Sequence, residues 1–256
     1  TDVTYDTGIA GVVDSLSLGA GVTFRKDMAL TVFTSALTIA NDAVFRVEDQ
    51  SILNLGGGNL DRSSLIVRKG FQGSGGAVLS TSVTSWAGTN GFNVDREFSA
   101  DGAGSLVDLS SLTSVERNGG SASSGLSITA TGGGRVNLSS LSAFSDNSSG
   151  INGDIFITSR DAGSEVDLTN VQTISDVNLE VRDGGDIVGQ LTSITGRSRL
   201  LKRGQDDADG DMVDMIDLSQ LASANNASLI AEDGATLDLG MTSIDQSDLD
   251  RKSTRL

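Results

Sequence analysis

A short phrase recurs six times along this chain, and this repetition constrains the fold more than any other feature. Its copies follow the pattern Val-x-Leu-x-x-Leu-x-x-Val with conservative exchanges, and they occupy residues 107–115, 136–144, 166–174, 188–194, 216–224 and 237–244. The equivalent apolar positions lie 20 to 30 residues apart when the following are taken as one column: Leu109, Leu138, Leu168, Val188, Leu218 and Leu239. Such spacing predicts a stack of repeats in one elongated domain.

Composition excludes several function classes. The chain has 256 residues with 32 Gly, no Pro, Cys or His, and one Trp and one Tyr, so thiol, imidazole and zinc-thiolate chemistry are excluded. A net charge of −16 repels nucleic acid and anionic lipid, so we expect no nucleic-acid partner. No apolar run approaches the roughly 20 residues of a membrane span, so we expect no membrane insertion. The chain begins at Thr1 without a signal peptide, and we expect a mature or excised piece.

Each repeat contains the signals of strands joined by tight turns. Alternating apolar and polar residues predict strands at 126–130, 155–158, 177–181 and 228–231. Glycine-rich and Asp-rich turns follow at 131–134, 182–185 and 232–235, where positive φ angles are expected. Within the phrase, Val-x-Leu predicts a second strand, and the later three-residue spacing requires a bend. Three short strands per coil predict an all-β fold, a parallel β-helix whose coils each add about 4.8 Å.

These motifs resemble the right-handed parallel β-helix (β-solenoid) repeats of bacterial surface and exported adhesin-like proteins. A fainter resemblance, carried by 109–115, is to leucine-rich receptor L-type repeats. The resemblance covers about 37–244 and implies a right-handed solenoid with coils of about 20 to 30 residues. We expect three regions: N-terminal strands or a cap-like segment at 1–36, solenoid repeats at 37–245, and a charged, solvated tail at 246–256.

Insertions between the phrase and the next strand are predicted at one equivalent position. They follow Trp86, Val115, Phe144 and Ile194, whereas Ile174 and Ala224 lead almost directly into the next strand. Loops at one position would project from one edge, which in repeat arrays is often the binding face. Tolerance of insertions at any exposed backbone explains the pattern equally well.

An acidic column is predicted on the outer surface, at the residue between the two buried positions of Val-x-Leu. Five of the six copies have Asp or Asn there, and Ile187 interrupts the pattern: Asp108, Asn137, Asp167, Asp217 and Asp238. Adjacent like charges cost about 1 kcal/mol even in water. We interpret the column as solvated charge that aids solubility and protects strand edges, with a divalent-cation ladder as the alternative.

A calcium site is predicted at residues 205–214, where acidic residues alternate around a glycine. Its oxygen ligands would be Asp207, Asp209, Asp211 and Asp214. The segment departs from an EF-hand loop, because Gln205 holds the first position and Ile216 the twelfth. The alternative is an acidic surface loop paired with nearby basic residues: Arg197, Arg199, Lys202 and Arg203.

Hydroxyl side chains form a further outward column. It contains the pairs 84–85, 113–114, 192–193 and 242–243, and less regular pairs interrupt it at 142–143, 172–173 and 222–223. An ice-binding array would need stricter regularity, so we expect a hydroxyl ladder that stabilises the stack.

The composition and repeats favour a non-enzymatic structural or adhesive module, located outside a bacterial cell or on its surface. Its expected partners are further copies or solenoid segments joined end to end, and a cell-surface glycan. Calcium is the only cofactor expected. The alternatives are a glycan-binding module or a polysaccharide lyase or hydrolase of the β-helix type, for which local acidic density occurs only near residue 207 and at Asp95, Arg96 and Glu97.

Overall fold

The computed structural model describes most of the chain from residue 43 onwards. The described ranges are 43–48, 50–68, 76–89, 95–118, 125–146, 155–204, 216–240, 243–245 and 248–252, together with the backbone of six strands before residue 40. Within these ranges the chain is all-β and contains no helix. All pairings between the described strands are parallel, so the fold is a set of long parallel sheets compatible with a β-solenoid.

Sheet I has eleven strands. In pairing order they are β1 Asp2–Tyr5, β4 Thr23–Lys26, β7 Val44–Glu48, β9 Ser64–Arg68, β12 Arg96–Asp101, β15 Leu126–Thr131, β18 Ile155–Arg160, β21 Val177–Arg182, β24 Arg199–Arg203, β26 Ser228–Glu232 and β28 Asp248–Lys252. The strands expected at 126–130, 155–158, 177–181 and 228–231 are confirmed as β15, β18, β21 and β26.

Sheet II has eight strands: β2 Gly11–Val13, β5 Thr31–Thr34, β8 Ile52–Asn54, β10 Val78–Ser80, β13 Leu106–Asp108, β16 Arg135–Asn137, β19 Glu165–Asp167 and β22 Asp186–Val188. The third face contains sheet III, with β11 Ser85–Thr89, β14 Ser114–Asn118 and β17 Ala143–Asp146, and sheet IV, with β20 Thr173–Ser175, β23 Ser193–Thr195, β25 Ser223–Asn225 and β27 Ser243–Asp245. A two-stranded sheet pairs β3 Leu16–Ser17 with β6 Leu37–Ile39.

The core consists of apolar columns, because in-register parallel pairing places equivalent side chains above one another. In sheet I one column has eight consecutive members that are each at most 1% exposed: Phe45, Leu65, Phe98, Ile128, Ile157, Leu179, Leu200 and Leu229. Strand alternation directs the residues between columns outward. The alternating segments upstream of the repeated phrases therefore supply one wall of the interior.

The predicted bend within the phrase is confirmed. The N–H of Leu112 donates to the carbonyl of Leu109 at 2.8 Å, and Leu141 donates to Leu138 in the same way at 2.8 Å. A hydrogen bond between residues three apart closes a β-turn. The turn keeps both leucines of each phrase buried although the chain changes direction between them.

Positive φ angles occur in the turns between sheet I and sheet II, as expected. Asp183 has φ 55° and Asp233 has φ 56°, and each is followed by a glycine that also has positive φ. Gly185 ends one such turn, and a Cβ there would lie 2.5 Å from the carbonyl carbon of Ser159 in the preceding coil. The turn therefore requires glycine at that position because the backbones of two coils approach closely.

The insertions lie at two corners, so the prediction of a single corner was wrong. Between the third face and sheet I, the connections after β11, β14 and β17 have six to eight residues, against one to three after β20, β23 and β25. The predicted insertion after Ile194 is absent there, because β24 begins at Arg199. The long connection of that coil follows Arg203 instead, at the corner between sheet I and sheet II. The same corner has a second long connection, because nine residues separate β9 from β10.

Strand pairing crosses both boundaries of the predicted three regions. Strands β1, β4 and β5 lie within 1–36 and pair in sheets I and II, and β28 lies within 246–256 and pairs with β26. The last strand therefore extends sheet I into the segment expected as a solvated tail. The division into 1–36, 37–245 and 246–256 stays a prediction.

Candidate functional site

The predicted calcium ligands Asp207, Asp209, Asp211 and Asp214 lie outside the described residues. The calcium proposal for that segment therefore stays a prediction. In the parts of the chain that the structure does describe, no group of three or more acidic, His or Cys side chains is arranged to hold a metal ion.

The basic residues named as alternative partners of that segment have other positions. The Nε of Arg197 lies 3.2 Å from Oδ1 of Asp176, and the Nε of Arg203 lies 2.7 Å from Oε2 of Glu232. Lys202 lies in an inward column and is only 5% exposed. Two of the four basic residues thus pair with carboxylates of adjacent coils in sheet I or its corner.

Three of the five predicted members of the acidic column are stacked in sheet II, whereas Asp217 forms an isolated bridge with Gln190. Asp108, Asn137 and Asp167 are stacked on β13, β16 and β19. The next member is Val188 and not Ile187, because Ile187 pairs with Val166 and is 2% exposed. The assignment of Val188 to the leucine column was therefore wrong by one residue.

The stacked members of this column and Asp217 each accept a hydrogen bond from the turn that follows them. The side-chain Oδ1 of Asp108 and of Asn137 each accepts the backbone N–H two residues further on, at 3.1 Å. Asp167 and Asp217 do the same at 3.0 Å and 2.9 Å. This is the Asx turn, which Asp and Asn form because their side chains reach their own backbone. The preference for Asp or Asn therefore has a local structural cause.

Other side chains of the protein offset the repulsion between the carboxylates of the column. Nδ2 of Asn137 donates to Oδ1 of Asp108 at 3.1 Å, so an amide separates the carboxylates of Asp108 and Asp167. A terminal nitrogen of Arg135 lies 2.6 Å from Glu165 and 3.7 Å from Asp167. These contacts offset part of the repulsion between stacked carboxylates, and the divalent-cation ladder stays a prediction.

Two aspartates have depressed pKa values. The hydroxyl and the backbone N–H of Ser219 both donate to Asp217 and hold the pKa of its carboxyl below the usual value, with a smaller contribution from Gln190. Partial burial raises the pKa of Asp176, but hydrogen bonds from the Arg197 backbone, Ser175 and the Arg197 guanidinium outweigh it and lower the pKa overall. Both shifts favour the charged carboxylate in the fold.

The Asp176 site was not predicted from the sequence. Asp176 has φ 56° and accepts the N–H of Arg197 at 3.1 Å in addition to its guanidinium. It occupies the short corner between β20 and β21, where no phrase residue falls. The sequence offered one signal for a tight corner there, because Asp176 is the single residue between the end of β20 and the start of β21.

The hydroxyl column on the third face links adjacent coils. Oγ1 of Thr113 donates to the carbonyl of Thr84 at 2.9 Å, and Oγ of Ser142 donates to the carbonyl of Thr113 at 3.1 Å. Thr192 donates to the Gln172 carbonyl in the same way at 3.1 Å. The hydroxyls therefore form the stabilising ladder that the sequence predicted.

Hydrogen bonds join the segment considered for catalysis to the neighbouring coils. Oδ1 of Asp95 accepts the N–H of Gly125 at 3.0 Å, and the N–H of Glu97 donates to Oγ of Ser64 at 3.0 Å. Strand alternation directs Arg96 to the face opposite Glu97. Asp95 thus contributes to the joint between two coils.

Among the residues that are placed in the structure, no helix has the length and apolar character of a membrane span. Comparison with protein-family models, with curated proteins and with solved structures gave no match to this chain.

Proposed function

We propose that this chain is a non-enzymatic structural or adhesive module located outside a bacterial cell or on its surface. Its strands wind as a right-handed parallel β-helix with coils of about 20 to 30 residues, the hand that parallel crossover connections adopt. Further copies, neighbouring solenoid segments and a cell-surface glycan are its partners.

The observation that carries this proposal is the continuity of sheet I. Eleven strands stacked at about 4.8 Å span roughly 50 Å. One apolar column, which includes Phe45 to Leu229, runs along this sheet. The outward Asx and hydroxyl side chains also bond the coils to one another. Contacts in the core and on the surface both hold the coils together, which suits an extended scaffold that separates or displays other domains or binding sites.

Two sequence features support the location. The chain has no cysteine and a net charge of −16, which suits a solvated surface protein. The resemblance of its repeats to bacterial surface solenoids supports the same assignment.

Two assays on the purified chain test the proposal. Labelled protein applied to a glycan array and to bacterial and host cell surfaces is expected to be retained, with no change in the carbohydrate. Incubation with acidic and neutral polysaccharides is expected to release no reducing ends and no unsaturated products.

The enzymatic alternative makes the opposite forecast. Product release that is lost in the Asp95→Asn and Glu97→Gln variants, with unchanged thermal unfolding, would replace the adhesive proposal with a polysaccharide-active enzyme.

A further inference from the structure

The apolar column of sheet I ends abruptly at its last row. Leu249 of β28 is 54% exposed, whereas Leu229, its partner one row earlier, is 1% exposed. Every earlier described member of the column is likewise covered by the next coil. Leu249 therefore occupies a core position that none of the described strands covers.

The exposed end of the stack forms an apolar opening of about 260 Å³. Four leucines contribute to its walls, Leu229, Leu237, Leu239 and Leu249, together with two alanines and a threonine. Beside it, β28 pairs with β26 along one edge, and none of the described strands pairs with its other edge. Unpaired strand edges beside apolar surface are templates for another strand.

The first row of the stack has the complementary pattern. Strand β1 pairs with β4 along one edge only among the strands described. Its Val3 lies in register with Phe24 and Phe45, so Val3 and Leu249 are the first and last members of the same column. All eleven positions of that column are apolar in the sequence.

We propose that the open end at β28 binds the β1 end of a second copy of this chain. β1 of one copy continues sheet I of the other in parallel register, with Val3 placed over Leu249, and the added coil closes the apolar opening. This head-to-tail contact uses two different surfaces, so it generates chains of copies rather than a closed dimer. The inference rests on the proposed structural role and names the surfaces through which copies join.

Charge sets the conditions for this contact. Asp2 and Asp248 occupy one column, and like charges one row apart cost about 1 kcal/mol in water. The net charge of −16 adds a longer-range repulsion between copies. Added salt screens both and therefore promotes the association.

A disulfide-trapping experiment tests the register directly, because the chain has no cysteine of its own. Val3→Cys and Leu249→Cys variants are mixed under mild oxidation. Adjacent strands lie about 4.8 Å apart, within the Cα separation that disulfides span. A reducible heterodimer is expected at several times the yield of a control mixture of Val3→Cys with Phe156→Cys, whose second site lies on a side face. Equal yields in the two mixtures would overturn the proposal.

Sedimentation of the full chain provides an independent measurement. Association is expected to rise with protein and salt concentration and to weaken about tenfold or more in Leu249→Asp. The matched control is Phe156→Asp, because Phe156 is 46% exposed on the outer face of β18, and association within twofold of the wild type is expected. The end-to-end contact would be contradicted if the wild type stayed monomeric at every protein and salt concentration, or if Phe156→Asp lost association while Leu249→Asp kept it. Adhesion to glycans or cells by a strictly monomeric chain would leave the proposed function standing.

Discussion

Asn137 on β16 donates its Nδ2 hydrogen to Oδ1 of Asp108 on β13, at a distance of 3.1 Å. The same Asn137 accepts the N–H of Ser139 through Oδ1. One amide thus closes its own turn and donates a hydrogen bond to the carboxylate of the preceding coil. A carboxylate at this position could accept the turn hydrogen bond but could not donate to its neighbour.

Asn137→Asp therefore tests the link between coils while it preserves the Asx turn. The change removes one hydrogen bond and stacks three carboxylates, and we expect a loss of about 1 to 2 kcal/mol in the free energy of unfolding, partly recovered in high salt. Urea denaturation at low and high salt measures it. Asn59→Asp is the matched control, since Asn59 forms a similar exposed turn with Asp61, and a change below about 0.5 kcal/mol is expected. Equal effects in both variants would argue against the ladder.

The lowered pKa of Asp176 predicts a pH dependence of stability. Its stabilising contribution is fully present above the ordinary value of 3.8 and is lost as the pH falls through the depressed pKa. Asp176→Asn should therefore weaken the fold by about 1 kcal/mol at pH 7 and reduce the loss of stability below pH 4. Denaturation between pH 7 and pH 2 measures both. An equal loss of stability below pH 4 in the wild type and in Asp176→Asn would contradict the role of this carboxylate.

Gly185→Ala tests the close approach of two coils. A Cβ at 2.5 Å from the Ser159 carbonyl carbon forces the backbone apart, and we expect a loss of about 3 kcal/mol or more. Gly163→Ala separates this steric effect from backbone strain, because its φ is +75° but its nearest neighbour lies 3.9 Å away. We expect Gly163→Ala to lower the free energy of unfolding by about 1 to 2 kcal/mol. Thermal unfolding ranks the two variants, and the reverse order would contradict the steric explanation.

Calcium removal tests the acidic segment. If residues 207–214 bind calcium with a dissociation constant about a hundredfold below the applied calcium concentration, binding adds about 2.7 kcal/mol to the free energy of unfolding. EDTA should then remove this added stability. The Asp207→Asn, Asp209→Asn double variant should lose this response. A variant of the sheet II column, Asp108→Asn with Asp167→Asn, should keep it. A thermal midpoint that is unchanged by EDTA in the wild type would rule out the predicted calcium site.

The sequence predicted best which residues face the interior of the fold. Leu109, Leu112 and Val115 recur with their neighbours in a phrase, and all three are buried. The Asx and hydroxyl columns were also recognisable, since polar residues between buried positions point outward. Their hydrogen-bond partners in other coils were not, because these lie 20 to 31 residues away in the sequence.

The register of the coil at 186–194 shows why the sequence alone was insufficient. This coil has one residue fewer between Ile187 and Ile194 than its neighbour has between Val166 and Ile174. The deletion falls between Val188 and Ser193, a corner in which a Cβ at Gly189 would lie 2.8 Å from the carbonyl oxygen of Leu168. Strands on both sides keep their register because the corner absorbs the missing residue, which an alignment of phrases cannot reveal.

The amino-acid sequence by itself determined the repeat, most strand and turn segments and most members of the buried columns, because side-chain alternation and turn chemistry act over a few residues. The tertiary structure decided which corner holds each insertion, that Lys202 faces inward, and that Leu249 remains exposed at the end of its column. These features depend on pairing between coils, and the free energy of a parallel pair resides in contacts between segments remote in sequence.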